Sequence, residues 1–123
     1  MDASSQIGTG HLMRCLALAN EAKQCGFECT FVLRDPESKF LKLIASFDHK
    51  VKILVSSVYC GKIISNSTAH GNWLPVAQTQ DANETVEIIY DLKPDWIIVD
   101  HYALDASWFF IVTTDSAKIL VID

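Results

Sequence analysis

Gly8, Thr9, Gly10 and His11 stand together near the start of the chain, and Arg14 follows about one helical turn later. Glycine lacks the Cβ that keeps backbone away from a ligand, and histidine is the side chain that most readily exchanges a proton near neutral pH. A histidine in the first turn of a helix faces partial positive charge. That setting suits the neutral, proton-accepting imidazole, and the same helix terminus attracts an anionic group. The chemistry suggested is general-base catalysis beside a bound anion. Two familiar phosphate loops are excluded. A dinucleotide fingerprint needs a third glycine where Met13 stands, and a P-loop needs a Gly-Lys-Ser/Thr that does not follow. On spacing alone, a glycine turn with a surface histidine is an equal alternative.

Asp100, His101 and Tyr102 form a second polar constellation, directly after an apolar run. Its plain alternative is a loop whose aspartate caps the next turn. Asp105 reads as a helix cap rather than a catalyst. Trp73-Leu74-Pro75, with Gln80-Asp81 nearby, lies in a long loop, where an aromatic ring either stacks on a sugar or base or packs the loop down. A serine-hydrolase reading fails for want of G-x-S-x-G. His11, Asp100 and His101 are metal-capable types, yet nothing in their spacing demands a metal.

The elements that must position these groups follow from periodicity. Leu12, Leu16 and Ala19, with Met13 and Ala17, predict a helix from His11 to about Gln24, stopped at Gly26. Glu28–Leu33 reads as a strand. A second helix is expected to start at Asp35-Pro36 and run through Phe40, Leu41, Leu43, Ile44 and Phe47, and Val51–Val55 is the next strand. Residues 56–80 have no clear period, and a loop of that length is usually functional or disordered. Asp81 is a possible cap for a third helix carrying Val86, Ile89 and Tyr90, which Pro94 ends. Asp95–Asp100 and Lys118–Asp123 read as buried strands around a short helix from Ala106 to Val112. Apolar strands alternating with helices predict one α/β domain over residues 1–123 with a parallel sheet. In such sheets ligands gather at the carboxyl ends of strands. The glycine loop, the loop after Val55 and the segment after Val99 all fall on that edge.

With 123 residues, half of them hydrophobic, the chain is long enough for a real core. A net charge of −5 argues against a nucleic-acid partner. No apolar run reaches the roughly 18 residues of a membrane span, so no membrane partner is expected, and the cytoplasm is the expected compartment. Cys15, Cys25, Cys29 and Cys60 form no C-x-x-C pair and read as free thiols, not a zinc site. The two Asn-x-Thr sequons, at Asn66 and Asn83, read as chance matches.

Three strings together, DASSQIGTGHLMRCL (Asp2–Leu16), WLPVAQTQDANET (Trp73–Thr85) and DWIIVDHYALD (Asp95–Asp105), give the chain a family resemblance. It resembles the N-terminal half of the UDP-2,4-diacetamido-2,4,6-trideoxy-β-L-altropyranose hydrolases of pseudaminic acid biosynthesis, over its whole length and in the same order. Related nucleotide-sugar proteins of spore-coat and other surface polysaccharides carry looser versions. The resemblance implies a GT-B-like architecture of two Rossmann-like domains. It implies hydrolysis at the anomeric carbon, with inversion and release of UDP, and no metal or organic cofactor. His11 corresponds to the base that activates water. Gly8, Thr9, Gly10, Arg14, Asp100, His101 and Tyr102 are the expected substrate-binding residues, with a structural role the alternative for Arg14. The expected partner is a UDP-linked deoxyamino sugar. Measured against the family's pattern, a first strand before Asp2 and a nucleotide-holding domain after Asp123 are missing. The chain is therefore expected to be an N-terminal fragment, inactive by itself. A glycosyltransferase-like domain and a non-catalytic nucleotide-sugar-binding domain are the rival readings.

Overall fold

A computed structural model describes residues 9–56, 77–101, 104–113 and 117–122. Eight elements alternate along them: α1 (Thr9–Gln24), β1 (Thr30–Arg34), α2 (Ser38–Ser46), β2 (Lys50–Leu54), α3 (Gln78–Leu92), β3 (Trp96–Val99), α4 (Ala106–Val112) and β4 (Lys118–Val121). The α/β class and the order of elements are as the periodicity predicts. The strands form two parallel pairs, β1 with β2 and β3 with β4, rather than one continuous sheet. The chain divides accordingly into two compact units, Met1–Val55 and Ser56–Asp123.

In the first unit, the helical stripe of Leu12, Leu16 and Ala19 meets Phe31 and Leu33 of β1 and Phe40 and Ile44 of α2. The inward alternation of β1, with Phe31 and Leu33 buried, is the period of a half-covered strand. α1 stops as Gly26 predicts. The Phe27 N–H reaches the Ala22 carbonyl and the Gly26 N–H that of Lys23, both at 3.0 Å, with Gly26 at φ +92°. That pair of bonds needs a left-handed residue, which glycine supplies without strain. α2 ends the same way, with Asp48 at φ +64° in the left-handed position. Lys23 of α1 donates to the Phe47 carbonyl there at 3.2 Å, satisfying one of the orphan acceptors of that terminus.

Two boundaries differ from expectation. α2 begins at Ser38 rather than at Asp35-Pro36. A residue before proline avoids the α region. Asp35 instead takes φ +43°, and its N–H bonds to the Leu54 carbonyl just beyond the β1–β2 ladder. α3 begins at Gln78, three residues before the expected cap, so the tail of the long loop is helical. At its other end Lys93 is left-handed, at φ +48°, and Pro94 follows.

The second unit packs Ala82 and Ile89 of α3, Val99 of β3, and Trp108 and Val112 of α4 around one core, with Ile97 and Ile119 against it. The expectation that β3 and β4 are wholly buried is not met. Trp96, Ile98 and Leu120 are 48%, 42% and 43% exposed. Only the face carrying Ile97, Val99 and Ile119 meets the core. Continuous apolar runs imply burial only where both faces of a sheet are covered. Lys118 lies with its Nζ 5.2 Å from the centre of the Trp96 ring, its register partner, which shields part of that surface.

His49 ties β2 to α1. It is buried, its Nε2 donates to Asn20 Oδ1 at 2.8 Å, and its ring lies 5.6 Å from that of Phe31. Burial pushes its imidazole below the usual range, the Lys23 charge pushes it the same way, and Asp48 opposes both. A lowered folded value means that the unfolded chain takes up this proton first as pH falls. The His49 contribution is therefore complete above the unfolded value of about 6.5 and declines as pH drops through and below it. The urea midpoint of the chain is expected to fall between about pH 7 and pH 5.5 more steeply than that of His49→Leu. Parallel curves for the two proteins would reject this assignment.

Candidate functional site

The first motif is set by α1. Thr9 and Gly10 are exposed on its first turn, and His11 comes next on the buried stripe beside Leu12. His11 is only 5% exposed, which removes the alternative of a surface histidine. Arg14, three residues on, lies over the same face, as i and i+3 side chains do on a helix. Its Nη2 lies 3.1 Å from His11 Nδ1. A guanidinium has only donors, so Arg14 donates and Nδ1 accepts. The contact therefore requires a neutral ring with its single proton on Nε2.

Gly10 has nothing within 4 Å of the place a Cβ would occupy. Among the described residues packing thus does not explain the glycine, and a ligand could approach the backbone there.

The second motif follows β3. Asp100 comes directly after Val99, its side chain is fully buried, and it is engaged rather than free. His101 is half-buried and likewise engaged. The Ile122 N–H bonds to the Val99 carbonyl at 2.8 Å, so pairing with the β4 side of the sheet continues to the foot of this motif. Asp100 is not the cap of the following helix. That role belongs to Asp105, whose Oδ1 accepts from the Ser107 N–H at 2.9 Å. Of the expected site residues, Thr9, Gly10, His11 and Arg14 thus stand in the first unit, and Asp100 and His101 in the second. Gly8, Tyr102, Trp73, Leu74, Pro75 and Cys60 lie outside the described residues.

A polar cluster that motif reading misses lies on α3. Gln78, Asp81 and Thr85 are buried on the same stripe as Ala82 and Ile89. Asp81 is not a cap. Its Oδ2 accepts from Trp108 Nε1 at 2.7 Å, and Gln78 Oε1 accepts from the Asp105 N–H at 2.9 Å. Together the two bonds tie the start of α3 to α4. The available signal was periodicity: polar residues three and four apart share a helix face with apolar ones, so they must be buried and bonded.

Cys15, Cys25 and Cys29 form no disulfide bond. Cys29 donates to the Ala19 carbonyl at 3.7 Å, and burial raises its thiol above the usual range, which disfavours the thiolate. Among the described residues no three metal-ligating side chains converge, and no helix is long and apolar enough to cross a membrane.

Two substitutions separate folding from site chemistry. Asp81→Ala strands a buried indole N–H and should cost about 2 kcal/mol, read as a lowered urea midpoint. A loss under about 0.5 kcal/mol would mean that water or another group takes over the bond. Gly10→Ala should leave the fold intact and stabilise the helix by about 0.5 kcal/mol, because nothing meets the added methyl. A marked drop in melting temperature would contradict the open environment of Gly10. No family model, no curated protein and no solved structure matches the chain.

Proposed function

We propose that the chain is the sugar-facing, Rossmann-like domain of a GT-B-type UDP-sugar hydrolase working in the cytoplasm. It would release UDP and a free 2,4-diacetamido-2,4,6-trideoxy sugar on the way to pseudaminic acid. The observation that carries the reading is a buried His11 on the first turn of α1, its Nδ1 3.1 Å from Arg14 Nη2, next to a glycine against which nothing packs among the described residues. The three motif strings in family order support the choice of substrate.

In this reaction a water oxygen attacks the anomeric carbon as the bond from that carbon to the diphosphate oxygen breaks. The electron pair leaves with UDP, and the water proton passes to His11. UDP is a good leaving group, so the demand for acid catalysis is small, while a well-placed base supplies roughly a hundredfold to ten-thousandfold. Thr9, Gly10 and Arg14 would meet the sugar and its diphosphate. Asp100 and His101 follow the carboxyl end of β3, the usual ligand edge of such folds, and with Tyr102 would contribute to substrate binding.

The test uses the chain joined to the nucleotide-holding domain of the hydrolases it resembles, because remote binding energy positions the reacting carbon. Proton NMR of the UDP-sugar should show free sugar appearing without any acceptor. His11→Asn should lower kcat by about a hundredfold or more, with UDP-sugar affinity nearly unchanged. Turnover only when an acceptor is supplied would make the protein a transferase. Tight binding without turnover would make it a binding domain, and wild-type kcat in His11→Asn would remove the base assignment.

A further inference from the structure

We infer that Gln78 is a positioning residue for the candidate site: its side chain fixes the far end of the 100–105 stretch, and with it the Asp100, His101 and Tyr102 that the proposed reaction uses. The inference rests on the proposed reading of that stretch as substrate-binding.

The motif lies between β3, which ends at Val99, and α4, which begins at Ala106. A connecting stretch on a rigid scaffold takes its shape from what holds its two ends. At the near end Asp100 is fully buried, directly after the strand. At the far end Leu104 packs against the core, and the Asp105 N–H donates to Gln78 Oε1 at 2.9 Å. A side-chain amide accepts only through its oxygen, so this bond also fixes which way the Gln78 amide is turned. Gln78 is buried, so its oxygen does not readily exchange this bond for one to water.

The anchor stands on a firm element. Gln78 is the first residue of α3, and helix ends tend to fray. Here the end is held, because Asp81 accepts from Trp108 Nε1 at 2.7 Å one turn further on. The two bonds make a pair of rungs, 78 to 105 and 81 to 108, three residues apart on each side. The second rung joins helix to helix. The first lands on backbone at the point where the motif passes into α4, so it acts on the motif directly. The Asp105 carboxylate has a separate task, because its Oδ1 accepts from the Ser107 N–H and caps α4. Gln78 places the residue, and the residue's own side chain starts the helix. The Trp73–Thr85 string thereby gains a part in the site, since its Gln78 bonds to Asp105, the last residue of the Asp95–Asp105 string.

NMR of the 123-residue chain reads the anchor without any ligand. A long-range HNCO spectrum of the wild-type chain should show a correlation across the hydrogen bond, from the Asp105 amide to the side-chain carbonyl of Gln78. Gln78→Met keeps length and helix propensity but removes the acceptor. It should speed amide exchange at Asp105 about tenfold or more and shift the Asp100 and His101 amides. Gln78→Glu, which restores an oxygen at the same place, should return part of that protection. In the joined protein Gln78→Met should lower kcat/KM about tenfold or more, because small misplacements of binding groups are costly. Trp108→Phe is the control. It removes the donor of the other rung and weakens the α3–α4 contact, yet leaves the Asp105 N–H on Gln78, so kcat/KM should stay within about twofold of wild type. No correlation in the wild-type chain, Asp105 exchange indifferent to Gln78→Met, or equal losses of kcat/KM in Gln78→Met and Trp108→Phe would each overturn the inference. The correlation needs no variant, so it decides the matter even if Gln78→Met does not fold. The expected spectra without hydrolysis by the joined wild-type protein count against the hydrolase reading alone. Hydrolysis with an Asp105 amide indifferent to Gln78→Met counts against the anchor alone.

Discussion

The first unit depends on burying one stripe of α1. Leu12 and Leu16 are almost wholly removed from water, against Phe31, Leu33, Phe40 and Ile44. Each such side chain contributes about 1.5–3 kcal/mol of transfer free energy. The exposed Lys23–Asp48 pair, 3.3 Å apart, is worth at most about 1 kcal/mol, so the apolar stripe and not surface charge decides where α1 lies. The other attachments follow from that seat. Asn20 meets His49, the Ala19 carbonyl meets Cys29, and Lys23 reaches the end of α2. The candidate site residues Thr9, Gly10, His11 and Arg14 use the same helix. His11 continues the buried stripe by one residue, and the helical repeat sets Arg14 over it.

The second unit is organised differently. Its apolar core of Ala82, Ile89, Val99, Trp108 and Val112 is small, and buried polar bonds supplement it. Asp81 to the Trp108 indole and Gln78 to the Asp105 N–H each add little net energy while satisfied, about 1 kcal/mol. Their weight lies in what their loss would leave behind: a buried donor with no acceptor. They also make the α3–α4 pairing specific, because a shifted register would strand both groups. The strands contribute one face only, so Trp96, Ile98 and Leu120 stay in contact with water.

Chemistry and packing meet at His11. A residue buried enough to be held in one orientation is also easily paired, and its pairing decides which ring nitrogen carries the proton. The neighbour that fixes the ring, Arg14, is itself a strong phosphate donor. Orientation and tautomer are therefore coupled within a single turn of helix.

The positions and types of the elements were legible in the sequence because they follow from local periods and local stops. Apolar spacing marked α1, and Gly26 and Pro94 ended their helices through local backbone geometry, which the missing Cβ of glycine permits and the proline ring imposes. Asp105 was legible as a cap for the same reason, since its bond to Ser107 spans two residues. Residue type and spacing singled out His11, and the family resemblance added Arg14, but neither showed that they touch. The tertiary structure decided the rest. Asp81 was read as a cap because caps are local, whereas its partner Trp108 is 27 residues away. His49 and Asn20 carried no motif, and only the packing of β2 against α1 pairs them across 29 residues. The division into two strand pairs was equally invisible. An apolar strand has the same local pattern whichever strand it joins, and the choice is made by which faces the helices cover.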